Sequence, residues 1–339
     1  MTQASIIGAG GWGTALATLL AETCERVCIW AYDTATAEEI NTRHTNEVFL
    51  SGVSLPPNVF ATNDLSETLK SELILFVTPS EFARATAEKM AQIGVSDDAI
   101  IVSCTKGIEH HSDKLMTQIL EECLPGRRIA VLSGPNHAEE VARRVPAAAV
   151  IGSTHIDILE PLQTVFSLPT FRVYRSDDVL GIQLGGALKN VFAVAAGISD
   201  GLGMGDNTKA ALVTRALAEM MRLGMAMGGQ QETFFGLSGI GDLMVTCFSR
   251  HSRNRGVGER LGRGESLDSI RHSTKMVAEG VPTALAAWEV AQHLGIEAPL
   301  TEQVHAIIYE GQVPRIALAK LFERPLRHET DSPLLSQQP

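Results

Sequence analysis

The chain has 339 residues, of which 45% are hydrophobic; this allows a sizeable core, suggests two domains and excludes a disordered protein. Its formal net charge of −11 leaves no overall basic field for nucleic acid or an anionic membrane, so we expect neither as a partner. Any anionic ligand must therefore be held by a local cluster of Lys and Arg side chains.

The number and spacing of the cysteines, together with the N-terminal residues, indicate the cellular compartment of the protein. The five cysteines are odd in number and form no CxxC pair, which is typical of reduced thiols in the cytosol. The stretch MTQASIIGAG enters a strand at once, without the basic and apolar regions of a signal peptide. No uninterrupted apolar run approaches the ~20 residues of a membrane helix. We expect a soluble, cytoplasmic protein without membrane insertion.

Strand-like runs alternate with amphipathic, helix-like runs along the first half of the chain. The strand-like runs are ASIIGAG, RVCIWAYD, ELILFVTPS, AIIVSCTKG, RIAVLSGP, AAAVIGS and FRVYRS (171–176). Most are short, apolar and bounded by Gly, Ser or Pro, which is typical of buried parallel strands covered by helices. Because parallel strands are joined by right-handed crossovers, the pattern predicts a doubly wound parallel sheet.

The pattern changes after about residue 178, where strand-like runs nearly vanish. The runs DDVLGIQLGGALKNVFAVAAG, NTKAALVTRALAEMMRLGMAMG and VPTALAAWEVAQHLG have helix-like apolar spacing. We therefore expect a domain boundary near 178–185. It divides the chain into an α/β domain, 1–180, and a mostly α-helical domain, 181–339.

The stretch GAGGWG places Gly8, Gly10 and Gly13 in a GxGxxG array that also contains Gly11 and Trp12. The glycines of such an array allow a tight turn, close approach of the backbone to a pyrophosphate, and close helix–strand packing. The following helix adds free N–H groups and the positive end of its dipole. A lone array is weak evidence, but its place at the first strand–helix junction favours a dinucleotide cradle over a structural turn.

The end of the second strand-like run, WAYD, bears on the choice of cofactor. Asp33 lies about 20 residues past the last glycine, where an acidic residue accepts hydrogen bonds from the adenosine ribose of NAD. It also follows Tyr32 at a position suited to capping the next helix. Arg43 could approach the 2′-phosphate of NADP. The cofactor is therefore NAD or NADP, with the preference open.

Lys189 stands in LGGALKNVFAVAAG (184–197), a helix-like run of small and apolar residues. Burial of an unpaired ammonium is costly. Either the side chain reaches solvent from the helix edge, or the lysine is kept because it takes part in chemistry. The residues of this run, taken alone, favour the solvent-exposed interpretation.

A basic cluster occupies SRHSRNRGVGERLGR (249–263), in which Glu259 is the sole acidic residue. Its arginines are Arg250, Arg253, Arg255, Arg260 and Arg263. A guanidinium bonds two phosphate oxygens at once, so Arg253, flanked by Ser252 and Asn254, is the best candidate for binding a phosphate group. A solvated surface is the alternative for the last two arginines. So short a patch without aromatic residues does not indicate nucleic acid.

The histidines give no sign of a metal site. The ten His residues show no HExxH or other metal-ligand spacing. The pair at 110–111 is expected in an exposed loop. We predict no metal.

Six motifs occur in order: GAGGWGTALA, SCTKGIE, SGPNHAEEVA, GGALKN, GIGDLMVTC and SRNRGVG. Together they closely resemble NAD(P)-dependent glycerol-3-phosphate dehydrogenase of the bacterial type, from residue 5 to about residue 325. The resemblance implies a Rossmann domain followed by a helical domain, and usually a homodimer. It also implies that dihydroxyacetone phosphate and NAD(P)H interconvert with sn-glycerol 3-phosphate and NAD(P)+, which supplies the backbone of membrane phospholipids.

The resemblance implies roles for individual residues. Lys189 would protonate the developing alkoxide, Lys106 would polarise the substrate carbonyl, and Asp242 would orient Lys189. The implied substrate contacts are Lys106, Gly134, Asn136, Lys189, Asp242, Ser252, Arg253 and Asn254. The implied cofactor contacts are Gly8, Gly10, Gly11, Trp12, Gly13, Tyr32, Lys106, Ala138, Arg253, Val277 and Glu279.

Simpler interpretations stand beside these roles. Lys106 could be an ordinary loop lysine, and Asp242 could cap the helix-like run LMVTCF. Asn136 and His137 stand where many family members have Ser or Thr followed by Phe. We interpret His137 as a packing residue rather than a catalytic histidine.

Two other classes of protein share part of this pattern. A related hydroxyacid or sugar-acid dehydrogenase would share the Rossmann domain and a catalytic lysine, but is not expected to share GIGDL and SRNR in this order. A noncatalytic NAD(P)-sensing protein would have no reason to keep Lys106, Lys189, Asp242 and Arg253 together.

Overall fold

One sheet dominates the first half of the computed structural model, which describes residues 1–274, 277–326 and 328–329. Its strands are β1 (Gln3–Ile7), β2 (Arg26–Trp30), β3 (Val59–Thr62), β4 (Leu73–Phe76), β5 (Ile100–Ser103), β6 (Arg128–Ser133), β7 (Ala147–Gly152) and β8 (Phe171–Ser176). They lie in the order β3-β2-β1-β4-β5-β6-β7-β8. Strands β1 to β6 are parallel, so the doubly wound arrangement is confirmed.

Helices cover both faces of the sheet. They are α1 (Gly11–Leu20), α2 (Thr34–Arg43), α3 (Leu65–Thr68), α4 (Ala83–Ile93), α5 (Met116–Cys123), α6 (Ala138–Ala142) and α7 (Leu159–Phe166). Ile6 packs in one core with side chains of α1, α2 and α7, whereas its neighbour Ile7 packs in another with α3, α4 and α5. Because successive strand residues point to opposite faces, both must be apolar, which explains the unbroken apolar runs.

The last two strands depart from the parallel arrangement. Strand β7 runs antiparallel to β6, and β8 runs parallel to β7. Between β6 and β7 the chain forms only the short helix α6, which packs against α1. The chain therefore does not cross back over the sheet, and β7 starts near the edge at which β6 ends.

Strand β3 was not among the predicted strands. It has four residues, VFAT, and is hydrogen-bonded to β2 at the edge of the sheet. Phe60 on this strand is 40% exposed. So short and partly exposed a segment carries too little apolar pattern to be identified in isolation.

The second half of the described chain is helical, as predicted. Its helices are α8 (Val179–Gly201), α9 (Gly205–Ala226), α10 (Gln231–Phe234), α11 (Asp242–Phe248), α12 (Arg253–Gly262), α13 (Leu267–His272), α14 (Gly280–Leu294), α15 (Pro299–Tyr309) and α16 (Pro314–Phe322). Helix α8 is the central element, and α9, α11, α12 and α14 all pack against it. A Cβ on Gly258 of α12 would lie 2.0 Å from the Val194 carbonyl oxygen of α8, so glycine permits this close contact.

Helix α8 also has the length and the apolar composition of a membrane-spanning helix. Its mean hydropathy is 1.5 over the most apolar stretch, and 89% of that stretch is buried inside the protein. Because its neighbours already cover it, this hydropathy is that of a core helix.

Candidate active site

Lys189 lies in the middle of α8 and is only 7% exposed, so its side chain does not reach solvent. Its ammonium donates hydrogen bonds to Asp242 Oδ1 at 2.8 Å and to Thr246 Oγ1 at 2.7 Å. Asp242 and Thr246 lie one turn apart on α11, and therefore on the same face of that helix. The buried charge is thus paired and hydrogen-bonded, which is the condition for tolerating it.

Lys106 follows β5 and approaches the same carboxylate from the sheet. Its ammonium lies 2.5 Å from Asp242 Oδ2 and donates a second hydrogen bond to the Gly134 carbonyl oxygen at 3.0 Å. Gly134 follows β6. The carboxyl ends of two neighbouring parallel strands and two helices of the second half therefore meet at one carboxylate, at the edge of the sheet where α/β proteins bind ligands.

Asp242 does not cap α11, although it is the first residue of that helix. The preceding Gly241 is the N-cap, without a side-chain hydrogen bond. Both carboxylate oxygens of Asp242 instead accept hydrogen bonds from the two lysines. The capping interpretation of GIGDL is therefore not what the structure shows.

The cluster of Lys106, Lys189 and Asp242 shifts the pKa values of Lys189 and Asp242. Burial lowers the pKa of Lys189 to about 8, with a further decrease from the Lys106 charge, while the Asp242 carboxylate acts in the opposite direction. Burial acts to raise the pKa of Asp242, but the two ammonium groups outweigh it and hold that pKa below its usual range. Lys189 is thus able to exchange a proton near neutral pH.

The glycine array forms an open cradle where β1 meets α1. Gly8 has φ +125°, and a Cβ on Gly13 would lie 2.0 Å from the Gly8 carbonyl oxygen, so neither position accepts a side chain without strain. A Cβ on Gly10 would meet nothing within 4 Å, which leaves room above the turn. Gly10 is the N-cap of α1 and brings no side-chain cap. A helix N-terminus without a side-chain cap beside an open turn is the arrangement that binds a pyrophosphate in dinucleotide cradles.

A second wall of the cradle comes from the segment around α6. Trp12 and Ala138 both pack against a small core formed by Ala15, Leu50 and Val53. The Trp12 indole N–H is buried without a hydrogen-bond partner among the described residues. A Cβ on Gly11 would lie 3.8 Å from that of Ala138. Gly11, Trp12 and Ala138 are thus brought together beside the phosphate cradle.

At the adenosine end of the cradle, the structure shows the capping role of Asp33. Its carboxylate accepts hydrogen bonds from Ala35 N at 3.3 Å and Thr36 Oγ1 at 3.2 Å. Tyr32 is 90% exposed. The Arg43 side chain is 68% exposed and lies 3.6 Å from Glu39.

Glu279 connects the start of α14 to the loop after β4. Its carboxylate accepts hydrogen bonds from Ser80 N, at 2.9 Å, and from the Ser80 hydroxyl. Burial raises the pKa of Glu279 despite these two hydrogen bonds. Val277 lies half-buried two residues earlier in the chain. The motifs did not identify Ser80, because its one signal in the sequence is its place at the end of the strand-like run ELILFVTPS.

The structure separates the five arginines of the basic cluster into two groups. Three form ion pairs within the chain: Arg255 with Asp200 and Glu259, Arg260 with Glu265, and Arg263 with Glu259. Arg250 and Arg253 are exposed, and neither forms an ion pair with an acid in the described part of the chain. Arg253, the first residue of α12, is thus free to bind an anion.

The two neighbours of Arg253 have partners within the protein. Ser252 is the N-cap of α12 and accepts a hydrogen bond from Arg255 N at 3.2 Å. The Asn254 side chain donates to Asn190 Oδ1 and accepts from Gly280 N, both at 2.8 Å. Asn190 directly follows Lys189. These contacts hold the start of α12 against α8 and α14, close to the lysine.

Asn136 and His137 lie on the loop between β6 and α6. The Asn136 amide donates to the Ala148 carbonyl oxygen at 2.9 Å, and its Oδ1 is buried without a partner among the described residues. His137 Nε2 lies 3.4 Å from the Val245 carbonyl oxygen. Burial, followed by the nearby Lys189 charge, lowers the pKa of His137. A partly buried ring held against the backbone agrees with the packing interpretation.

Comparison with known proteins agrees with the motifs over nearly the whole chain. Models described as the N-terminus and the C-terminus of NAD-dependent glycerol-3-phosphate dehydrogenase match residues 3–158 and 178–319. A glycerol-3-phosphate dehydrogenase (NAD(P)+) of Syntrophotalea carbinolica is 45% identical over 330 residues, covering 96% of this chain and 99% of that protein. The corresponding Fusobacterium nucleatum protein is 43% identical over 335 residues, covering 98% of this chain and all of that protein.

Solved structures agree as well. A crystal structure of glycerol-3-phosphate dehydrogenase from Coxiella burnetii has a TM-score of 0.92 and 37% sequence identity, and the match covers 95% of this chain and 99% of that one. The six motifs, the fold and the relatives all lead to one assignment. The chain belongs to the family of NAD-dependent glycerol-3-phosphate dehydrogenases.

Proposed function

We propose that this protein interconverts dihydroxyacetone phosphate and NAD(P)H with sn-glycerol 3-phosphate and NAD(P)+, and so supplies glycerol phosphate for phospholipid synthesis. The observation that carries the proposal is the buried Lys189, whose ammonium is held by Asp242 beside Lys106. A pKa near 8 allows this lysine to give and take a proton at physiological pH.

Reduction of the ketone adds one hydride to its carbon and one proton to its oxygen. A reduced nicotinamide held beside the glycine cradle would supply that hydride to the carbonyl carbon and be oxidised to NAD(P)+, so the carbonyl oxygen would then require a proton. Lys189 Nζ gives a proton to that oxygen and becomes a neutral amine, which regains a proton from solvent. Lys106 stabilises the developing negative charge, since it is the second cation at the cluster. Asp242 positions both ammonium groups.

The proposed phosphate site is the start of α12. Arg253 is exposed and free of ion pairs among the described residues, so its guanidinium can bond two phosphate oxygens. Ser252 and Asn254 belong to the substrate site in this proposal because they hold the start of α12 in place. Gly134 and the unpartnered Oδ1 of Asn136 complete the wall on the sheet side.

We further propose that residues 1–180 hold the cofactor, NAD or NADP, and that residues 181–339 supply the catalytic lysine and the phosphate site. The cofactor contacts in this proposal are Gly8, Gly10, Gly11, Trp12, Gly13, Tyr32, Lys106, Ala138, Arg253, Val277 and Glu279. Ser80 joins them through its hydrogen bonds to Glu279. A cytoplasmic homodimer without nucleic-acid or membrane partners completes the proposal.

Replacement of Lys189 by Met tests the proposal. Loss of the proton donor is expected to reduce turnover of dihydroxyacetone phosphate by about 10²–10⁴-fold, because general acid–base catalysis contributes that much. The measurement is absorbance at the reduced-nicotinamide band, with NADH and NADPH in parallel.

Lys209→Met is the matched control. Lys209 is also 7% exposed, but its ammonium pairs with Asp200 and not with Asp242, the partner of Lys189. Unchanged turnover in a folded Lys189→Met protein would contradict the catalytic role. Absence of turnover in the wild type with either cofactor would contradict the substrate assignment and favour a related hydroxyacid dehydrogenase or a nucleotide sensor.

A further inference from the structure

Three possible metal ligands meet at a place that the proposed reaction does not use. His110 and His111 lie on the loop between β5 and α5, and Glu289 lies on α14. One ligand atom from each residue lies within 4.8 Å of the other two. The histidine pair is only partly in the exposed setting expected of it, because His110 is half-buried while His111 is exposed.

Two of the three ligand atoms are within hydrogen-bonding distance of each other, about 0.3 Å closer than two ligands of one metal ion. His110 Nε2 lies 3.0 Å from Glu289 Oε1. With zinc–ligand distances of about 2.0–2.1 Å, two ligands at a tetrahedral ion are about 3.3 Å apart. The His111 ring has its centroid 3.5 Å from that of His110. His111 is exposed, and a rotation of its side chain would bring its ring nitrogen, now within 4.8 Å of the other two ligand atoms, to an ion that they hold.

The carboxylates at this place have unused acceptor capacity. Glu289 Oε2 is buried without a hydrogen-bond partner among the described residues. Asp113 Oδ1, on the same loop, is also buried without a hydrogen-bond partner among the described residues. The other carboxylate oxygen of Asp113 lies 3.0 Å from His293 Nδ1 on α14. A buried, unpartnered carboxylate oxygen is costly. A cation bound by Glu289 would remove that cost at the first of these oxygens.

We propose that His110, His111 and Glu289 bind a divalent transition-metal ion of the Zn²⁺ class, with water completing the coordination. Imidazole and carboxylate ligands suit zinc, nickel and copper, whereas two imidazoles are poorly suited to Mg²⁺. Sequence spacing predicted no metal because Glu289 comes from a distant helix, so no short motif contains all three ligands.

The position of the ion gives it a structural consequence. The loop that carries the two histidines begins after β5 and also carries Lys106, and α14 begins directly after Glu279. An ion bound here joins a loop of the sheet domain to a helix of the second half of the chain. Because the ligands come together only in the folded protein, binding is expected to stabilise the fold.

Zinc binding by the full-length protein, stripped of metal with a chelator, tests this inference. We expect calorimetry to show one Zn²⁺ per chain, and the melting temperature to rise with Zn²⁺ and not with Mg²⁺. Glu289→Gln and the double variant His110→Ala/His111→Ala are each expected to raise the Kd for Zn²⁺ at least about tenfold, since loss of even an outer partner costs that much. His155→Gln, at an exposed histidine elsewhere, is the matched control and is expected to bind like the wild type.

Three results would overturn the proposal. The wild type could bind no Zn²⁺, or both variants could bind it with unchanged Kd. The binding could also be lost in His251→Gln instead, which would place the ion near His137, whose ring centroid lies 6.0 Å from that of His251. Glu289→Gln nearly preserves shape, so it keeps the test decisive if the double variant fails to fold. Equal melting temperatures of metal-free wild type and variant would show that the rise in melting temperature with Zn²⁺ depends on the bound ion.

Discussion

At the scale of single residues, Asp242 holds both lysine ammonium groups in place. Its side chain is buried, and each of its oxygens accepts a hydrogen bond from one ammonium group. Two cations and one anion leave the cluster with an excess positive charge, which suits a site where an alkoxide develops. Removing the carboxylate would leave Lys189 buried beside a like charge, which is a costly arrangement.

The pH dependence follows from Lys189. Reduction needs the ammonium form, so with a pKa of about 8 we expect kcat/KM for dihydroxyacetone phosphate to fall as the pH rises through that value. Oxidation of glycerol 3-phosphate needs the amine, so its kcat/KM should rise over the same range. The variant Asp242→Asn lacks the negative charge that raises the Lys189 pKa. We therefore expect the pH dependence of both reactions to shift to lower pH. An unchanged pH dependence in Asp242→Asn would contradict control of the Lys189 pKa by Asp242.

Variants of Arg253 and Arg263 distinguish an arginine that binds substrate from one that only contributes surface charge. Arg253→Ala is expected to raise KM for dihydroxyacetone phosphate by about 10–100-fold, the equivalent of hydrogen bonds to a charged group worth about 1.5–3 kcal/mol. Arg263, which pairs with Glu259 on the surface, should change KM little when replaced by Ala. Steady-state kinetics distinguish the two variants. Equal KM values in both would place the phosphate elsewhere.

At the scale of secondary structure elements, the contact between α8 and α12 supports the site. Helix α12 carries Arg253 at its start, and α8 carries Lys189 in its middle. The helices approach so closely that Cβ atoms on Gly197 and Gly258 would lie 1.9 Å and 2.0 Å from carbonyl oxygens of the opposite helix. Side chains at these two positions would push the phosphate site away from the lysine.

Two glycines on α12 test this contact. Gly258→Ala is expected to lower the free energy of unfolding by about 1–3 kcal/mol, because the added methyl group overpacks a backbone contact. In Gly256→Ala the new Cβ would meet nothing within 4 Å, so the better helix propensity of alanine should raise stability by up to about 1 kcal/mol. Urea unfolding measures both. Equal midpoints in the two variants would contradict the close contact.

At the scale of the whole molecule, the reactivity of the free cysteines is a measure of how tightly the protein is packed. Cys24, Cys104 and Cys247 are buried, and Cys28 and Cys123 are half-buried. Burial raises the pKa of all five thiols, so little thiolate is present at neutral pH. They belong to both the sheet and the helical half.

We expect slow reaction of native protein with a thiol-specific reagent at neutral pH and fast reaction of all five thiols in denaturant. A saturating concentration of NADH should slow the native reaction further, since a ligand that binds only the folded state stabilises it by about 2.7 kcal/mol at 100 times its Kd. The measurement is the release of the coloured thiolate product with time. Immediate reaction of one or more thiols in the native protein would contradict the packing described here.

Local features of the sequence determined the glycine cradle, the long apolar helix around Lys189 and the family, because turn chemistry, helical periodicity and short motifs depend on residues close together in the chain. Contacts between distant residues depend on the tertiary structure alone. They decided that Lys189 is buried and paired with Asp242, and that β7 turns antiparallel. They also decided which arginines of the basic cluster are free, and that Glu289 approaches His110, because each of these depends on where remote segments pack.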